Sequence, residues 1–333
     1  MGKAQKNLHC RESQLTMTSS RIIRIATRSS PLALWQANTV KRLLEANGNA
    51  CELVLIESTG DLQLTQPLYA MGISGVFTKQ LDVALLNSQA DIAVHSLKDV
   101  PTQLAEGLFL CATLERGSFE DVALYKDKDF LENSLSDATI ATSSLRRRAQ
   151  WLAKYPKHKM SPIRGNVQTR LRKFAEGEEL KAVIFAKAGL ERMNLLPENH
   201  IVLDWMLPAP AQGIVGIVCR ENDNEMREVC NAISNKQSFI TGTIERQFLK
   251  TLLGGCSVPI SALAKIVGDR IHFRAAMHDF DGSKFYAEDR VINLSDWQNA
   301  GKETAEKLLQ QHGAVELLEA IRNKNWNEEG SVN

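Results

Sequence analysis

RIIRIATRSSPLALWQANTVKRLLEANGNACELVLIEST, residues 21–59, decides the fold. An apolar run rich in β-branched residues is followed by LALWQANTVKRLLEAN, whose apolar positions recur at helical spacing, and then by a second apolar run, CELVLIEST. The rhythm is strand, helix, strand. It continues through VFTKQLDVALLNSQ, with Phe77, Leu81, Ala84 and Leu85 on one helical face, into ADIAVHSL, a buried strand that ends in polar residues. Alternation of this kind predicts an α/β domain with a mostly parallel sheet.

Further along, DVALYK begins a second such unit near Asp121. TIATSSLRRRAQWLAKY passes from strand through a Thr-Ser-Ser turn into a helix, and KAVIFAKAGLERMNL repeats the design. The loop MLPAPAQG, with Pro208, Pro210 and Gly213, interrupts regular structure before the strand IVGIVCR, so a crossing between domains is expected there. Beyond Asn235 the pattern becomes a helix, TGTIERQFLKTLL, then strands ALAKIVG, RIHFRAAMHD and KFYAEDRVI, then one helical segment, AGKETAEKLLQQHGAVELLEAI. The expected partition is a disordered extension 1–20, a first domain 21–118 with 214–234, a second 119–213, and a smaller α+β domain 235–325.

The balance of 40 basic against 39 acidic residues excludes a protein whose whole surface is built for nucleic acid. Six scattered cysteines, with no CxxC pair, read as reduced thiols rather than a disulfide framework or a zinc site, which fits a cytoplasmic address and no metal. The N-terminus lacks the apolar segment of a signal peptide, Lys6 stands where the myristoylation pattern wants Ser or Thr, and no run is long enough to span a membrane.

Charge-driven binding must therefore be local. Between Ala138 and Ala175 there is no acidic residue, while Arg146, Arg147, Arg148, Arg164, Arg170 and Arg172 all fall inside. The planar guanidinium fork grips carboxylate or phosphate at two points, so an anionic ligand is indicated. Thr142, Ser143 and Ser144 suit the N-cap of the following helix, whose free N–H groups would add to an anion site; an ordinary capped helix with a solvated basic face fits the pattern equally well. His95, Ser96, Lys98 and Asp99 follow the carboxyl end of a strand, where open α/β sheets bind ligands; a structural salt bridge is the competing account of Lys98 and Asp99. His95 itself reads as a packed strand-end residue. Cys256, between Gly254–Gly255 and Pro259, sits on a tight turn suited to a covalent anchor, although a buried cysteine is the commoner case.

In order and spacing, RIATRSSPLALWQ, HSLKDVP, TSSLRR, RGNVQTRL, PAPAQG and GGCSVPI resemble the porphobilinogen deaminase (hydroxymethylbilane synthase) family over Arg21 to Ile321. The resemblance implies two periplasmic-binding-protein-like α/β domains around a cleft, and a smaller α+β C-terminal domain that carries a cofactor cysteine. It implies a transferase that joins four porphobilinogen units head to tail with loss of ammonia. The chain grows on a dipyrromethane tethered to Cys256, and hydrolysis then releases a linear tetrapyrrole of heme biosynthesis. Asp99 looks like the catalytic carboxylate, which stabilises the positive charge formed as ammonia leaves. Arg28, Ser30, Lys98, Thr142, Ser143, Ser144, Arg146, Arg147, Arg164 and Gln212 resemble the residues that contact the cofactor, and Arg28, Gln36, Arg164, Arg170 and Arg192 those that contact substrate. Arg28, Arg146, Arg147, Arg164 and Arg170 rank highest, because they combine the motif with bidentate chemistry. The partners implied are porphobilinogen and the growing polypyrrole chain, bound by a monomer, with no nucleic acid and no membrane.

The sequence departs from the family pattern in a loop expected to act as a lid. Ala70 and Ser74 stand where lysines are common and Gln80 where a Glu is usual, although Asp61 and Phe77 keep their places. Ala141 replaces a Gly, Leu253 a Glu, and Pro210 with Ala211 a Val-Gly pair. Two rival readings remain: a two-lobed binding protein without turnover, and a nucleic-acid module on 146–173. Retention of both Asp99 and Cys256 argues against the first. The second has only Trp151, Tyr155 and Phe174 for stacking.

Overall fold

The computed structural model describes residues 21–57, 78–132, 137–252 and 258–323. The extension 1–20, the lid positions Asp61, Ala70, Ser74 and Phe77, and Leu253 and Cys256 lie outside the described residues.

Ser30 and Pro31 begin the first helix. Ser30 is extended, its side chain accepts from the Ala33 amide, and Pro31 occupies a position where its missing N–H leaves nothing unsatisfied. The helix, α1 (Pro31–Ala46), buries Gln36, Ala37, Val40 and Leu44 against the sheet. That sheet comprises β1 (Ile23–Thr27), β2 (Cys51–Leu55), β3 (Ile92–Ser96), β4 (Leu108–Thr113) and β10 (Val215–Arg220), in the order β2-β1-β3-β10-β4. β1 runs parallel to β2 and β3, while β10 runs antiparallel to both its neighbours. Apolar side chains fill both faces. α1 and α7 (Asn224–Asn231) cover one, and α2 (Lys79–Leu86) covers the other.

The second sheet repeats this plan with β5 (Asp121–Tyr125), β6 (Thr139–Ala141), β7 (Lys159–Ser161), β8 (Leu180–Ala186) and β9 (His200–Val202), ordered β7-β6-β8-β5-β9. Here β5 is the reversed strand. α3 (Asp129–Glu132) and α4 (Leu145–Lys154) pack on one face, where Trp151 is wholly buried. α5 (Val167–Glu176) and α6 (Lys187–Arg192) pack on the other. Both sheets are therefore mixed, with one strand in five opposing the rest.

A third, antiparallel sheet, β11 (Ile260–Val267), β12 (Arg270–His278) and β13 (Phe285–Asn293), takes α8 (Lys236–Leu252), α9 (Ala300–Leu309) and α10 (Ala314–Asn323) on one face. The single C-terminal helix expected from sequence is two helices. Gly313, at φ +87°, turns the chain between them, and a side chain there would meet the Tyr286 hydroxyl.

Two segments join the first sheet to the second. The outward one follows β4, and the return one, containing the Pro-rich stretch, lies between β9 and β10. They are laced together: Gly117 N donates to Gly213 O at 3.1 Å and Leu114 N to Val215 O at 3.0 Å. Gly213 sits at φ +88°, and a Cβ on it would stand 2.8 Å from the carbonyl oxygens of Gly117 and Ser118. Only glycine permits so close an approach.

Candidate active site

β3 delivers its carboxyl end to the gap between the two sheets and continues as a single 3-10 turn, Leu97–Asp99. Leu97 is buried, so the turn is fixed by its apolar member and presents Asp99 outward, exposed. Beside it, Gln36 on α1 donates to Ser96 Oγ at 2.8 Å, which fixes the strand end against the helix. The β1–α1 loop brings Arg28 and Ser30 to the same wall.

The facing wall comes from the second sheet. Ser144 caps α4, its hydroxyl accepting from Arg147 N, and Thr142 Oγ1 accepts from Ser144 N. Ser143 Oγ donates to Ile163 O and accepts from Ile163 N, tying this loop to the one after β7. In that second loop Gly165, at φ +115°, leaves only 2.6 Å between an added Cβ and Thr169 Cγ2, and Asn166 caps α5 through the Thr169 amide. Arg164 and Arg170 flank this turn. The Arg170 guanidinium lies 4.7 Å from the Phe185 ring centroid.

Together these walls enclose a cavity of about 430 Å³. Seven basic side chains line it, Arg28, Lys98, Arg146, Arg147, Arg164, Arg170 and Arg192, and Asp99 is the only carboxylate among the described lining residues. Ser30, Gln36, Ser143, Ser144 and Gln212 are among its uncharged polar lining residues. Of the residues expected from sequence, Thr142 stands behind the wall as a support, and Cys256 lies outside the described residues, although Val258 reaches the cavity.

Arg146 and Arg147 refine the ranking made from sequence. Both are almost wholly buried, and their forks face Asp121, a residue the sequence reading took only as the start of a strand. Arg146 Nη2 is 2.7 Å from Asp121 Oδ2, and Arg147 reaches Oδ1 through Nε at 3.1 Å and Nη2 at 2.8 Å. Their remaining contacts include the carbonyls of Leu207 and Ile184. These two arginines build the wall and lend it charge. A pair of adjacent arginines on a capped, buried helix face requires a buried counter-charge, and that requirement was the available signal for Asp121.

Burial opposes the ionised form of Asp121, but Arg146 and Arg147 outweigh it and hold the carboxyl at about 2. One carboxylate does not balance the cations around it. Burial pushes Lys98 down to about 8, with Asp99 resisting and Arg147 assisting, and it pushes Arg170 down to about 10, again with Arg147 assisting. Arg170 Nε is buried with no hydrogen-bond partner among the described residues. His95, also in the wall, is pushed to about 4 by burial and by Arg28, so it stands there as a neutral ring. A site with this surplus is suited to a ligand bearing several carboxylates.

Arg192 lies at the cavity edge, donates to Gly213 O at 2.6 Å and covers the Trp35 ring at 5.4 Å, so it joins the second sheet's helix to the return crossing and to α1. Cys51, Cys111, Cys219 and Cys230 are buried free thiols of the first core and take no part in the cavity. No group of His, Cys, Asp and Glu among the described residues could hold a metal ion, and no helix among them is long and apolar enough to cross a membrane.

Residues 23–228 match the family model described as porphobilinogen deaminase, dipyromethane cofactor binding domain, and residues 239–310 match that of the porphobilinogen deaminase C-terminal domain. The chain is 43% identical over 302 residues to the porphobilinogen deaminase of Campylobacter hominis, covering 89% of this chain and 97% of that one. It is 42% identical over 303 residues to the probable porphobilinogen deaminase of Methanocaldococcus jannaschii, covering 90% and 98%. With the chloroplastic porphobilinogen deaminase of Pisum sativum it shares 39% over 314 residues, 91% of this chain and 85% of that one. Among solved structures, the periplasmic VFT2 domain of Bordetella pertussis BvgS superposes with a TM-score of 0.40 at 15% identity, over 64% of this chain and 86% of that one.

Proposed function

Because this chain belongs to the porphobilinogen deaminase family, we propose that Asp99 is the carboxylate that assists loss of ammonia from each porphobilinogen, and that Cys256 holds the cofactor. The activity is that of a hydroxymethylbilane synthase: four porphobilinogen molecules are joined head to tail, ammonia leaves at each joining, and the linear tetrapyrrole is released by water. The cofactor is a dipyrromethane.

The residues fit that cofactor. Its acetate and propionate groups match a cavity that, among the described residues, sets seven cations against one carboxylate, and the buried Arg170 Nε has no hydrogen-bond partner among them. Bound dipyrromethane supplies the carbon to which the first substrate ring is joined. Arg28, Arg164 and Arg170 grip side-chain carboxylates, and Ser30, Ser143 and Ser144 add neutral donors at two helix N-termini. Lys98 supplies a point charge beside Asp99. Gln36 holds the strand end through Ser96, and Arg192 closes the edge of the cavity.

Asp99 carries the reading, as the one carboxylate among the described residues that line a basic cavity, set on a short 3-10 turn. It accepts from pyrrole N–H and opposes the positive charge that develops as the aminomethyl C–N bond breaks and ammonia departs. The same group is placed to receive the proton that the joined ring loses when it becomes aromatic again. The reading keeps the partition 21–118 with 214–234, 119–213 and 235–325, and a monomeric cytoplasmic enzyme that engages neither nucleic acid nor membrane.

The test is intact mass with peptide mapping, followed by turnover of Asp99→Asn. A two-pyrrole adduct on Cys256 and a variant that folds, carries the adduct and loses turnover by about 100-fold or more are expected. A Cys256 left unmodified after incubation with porphobilinogen sinks the enzyme reading and favours capture of an anionic ligand without chemistry.

A further inference from the structure

α8 reaches from the third sheet into the back of the Asp99 turn. Arg246 on α8 donates through Nη1 to Val100 O at 2.7 Å and Leu97 O at 3.3 Å, and through Nη2 to Pro101 O at 2.7 Å. One guanidinium thus holds three carbonyls that bracket Lys98 and Asp99. These carbonyls follow the end of β3, and the planar fork ties all three to α8. On the same helix Gly242 lets α8 approach closely: a Cβ there would stand 3.0 Å from Ile214 Cδ1 and 3.3 Å from Leu97 Cδ2. Leu97 is therefore socketed between Gly242, Ile214 and Gly216, and its own amide donates to Ile214 O at 2.9 Å. The turn is held between α8 and the segment that enters β10, and Leu252, the last residue of α8, lies four positions before Cys256 in sequence.

We propose that Arg246 is a positioning residue for the condensation reaction. It holds the Asp99 turn to α8, so that the carboxylate keeps its place while the ligand lengthens. The proposal rests on the reading of Asp99 as the assisting carboxylate. Lysine cannot reproduce the arrangement, because a single ammonium cannot bridge carbonyls on either side of the turn as a planar fork does.

The test compares cofactor-loaded wild type, Arg246→Gln and Arg246→Lys, each verified by intact mass. In Arg246→Gln, kcat falls by about 100-fold, the loss expected when a reacting group is misplaced by about 1 Å. KM for porphobilinogen stays near wild type, because no ligand-gripping arginine is touched. Hydrogen exchange of the Lys98, Asp99, Val100 and Thr102 amides quickens, and Arg246→Lys recovers part of kcat. A loaded Arg246→Gln with wild-type kcat overturns the proposal, as does a loss confined to KM with unchanged exchange. If Arg246→Gln fails to fold, Gly242→Ala displaces the same turn from the helix side. A kcat-selective loss there supports the proposal and a wild-type kcat overturns it. Asp99→Asn run in parallel separates the two claims: normal turnover there sinks the carboxylate reading, whereas an inactive Asp99→Asn beside a fully active Arg246→Gln sinks the positioning role alone.

Discussion

Lys98 and Gln212 meet through a 3.2 Å hydrogen bond from Nζ to Oε1, and the chain of contacts continues from Gln212 Nε2 to Asp121 Oδ1 at 2.9 Å. The residue beside the proposed catalytic carboxylate is thereby connected, through one amide on the return crossing, to the acid that anchors the opposite wall. Gln212 also donates to Phe119 O at 2.8 Å, so it holds both crossings at once.

Replacing Gln212 with Leu removes an acceptor from Lys98 and a donor from Asp121 while keeping similar volume. The buried polar groups left unmatched cost roughly 1–3 kcal/mol each. A lower melting temperature and a raised KM for porphobilinogen are expected, measured by calorimetry and initial rates. An unchanged KM means that Lys98 finds its place without the amide.

Asp121→Asn leaves two buried guanidinium groups without their counter-charge, and a loss of roughly 3–5 kcal/mol in unfolding free energy is expected. The pH dependence has a definite sign. The folded carboxyl, at about 2, lies below the usual unfolded value near 3.9, so its stabilisation is complete above pH ~4 and is lost as pH falls toward 2. Denaturant titrations over that window should show wild type losing about 2 kcal/mol through this group and the variant lacking that slope.

Lys98 titrates in the opposite regime. Burial holds it at about 8, so it sheds its charge above that pH and with it part of the attraction for acidic substrate. Below about pH 8 its burial cost is felt in full; between about 8 and the unfolded value near 10.4 the unfolded chain binds more protons, and that cost fades as pH rises. kcat/KM should fall on the alkaline side with an inflection near 8, and Lys98→Met should abolish the inflection. An inflection that survives in Lys98→Met assigns it to another group.

Glu245 on α8 is fully buried and accepts four bonds: from Arg116 Nη1 at 2.6 Å and Nη2 at 3.0 Å, from Ala211 N at 2.6 Å, and from Ala264 N at 2.7 Å. It joins both crossings to the third sheet. In Glu245→Gln an amide NH₂ faces a donor, and a loss of roughly 3–5 kcal/mol is expected by chemical denaturation. A loss under 1 kcal/mol would show that the pair merely offsets its own desolvation.

Ala211 adopts φ +61° where the family pattern has glycine. The left-handed conformation costs an L-residue about 1–2 kcal/mol, and glycine's greater freedom when unfolded returns part of that gain. Ala211→Gly should therefore raise stability by up to about 1 kcal/mol, read as a higher melting temperature. A decrease would indicate that alanine's restriction of the unfolded chain outweighs the strain.

The helices and central strands were legible because their periodicity is local: β1, α1, β2, β3, β6, α4, β8 and β10 lie where the apolar spacing puts them. β4 and the short edge strands β7 and β9 were not read. The split between α9 and α10 was missed because one glycine inside a continuous apolar stripe looks tolerable until its φ is known. In the cavity, the motif arginines, Lys98 and Asp99 were found from residue type and order. Asp121, Glu245 and Arg246 were not, because each partners residues remote along the chain, Asp121 and Arg146 across 25 positions and Arg246 and Leu97 across 149.

Residue chemistry and order along the chain determined that this protein is α/β, that it binds an acidic ligand, and which carboxylate and which thiol to suspect. These follow from local backbone preference and from charge, both of which act within a few residues. Only the tertiary structure decided which of the arginines pair with Asp121, and which helix holds the Asp99 turn. The fate of a buried charge depends on the counter-charge that folding brings beside it, and sequence separation does not encode that distance.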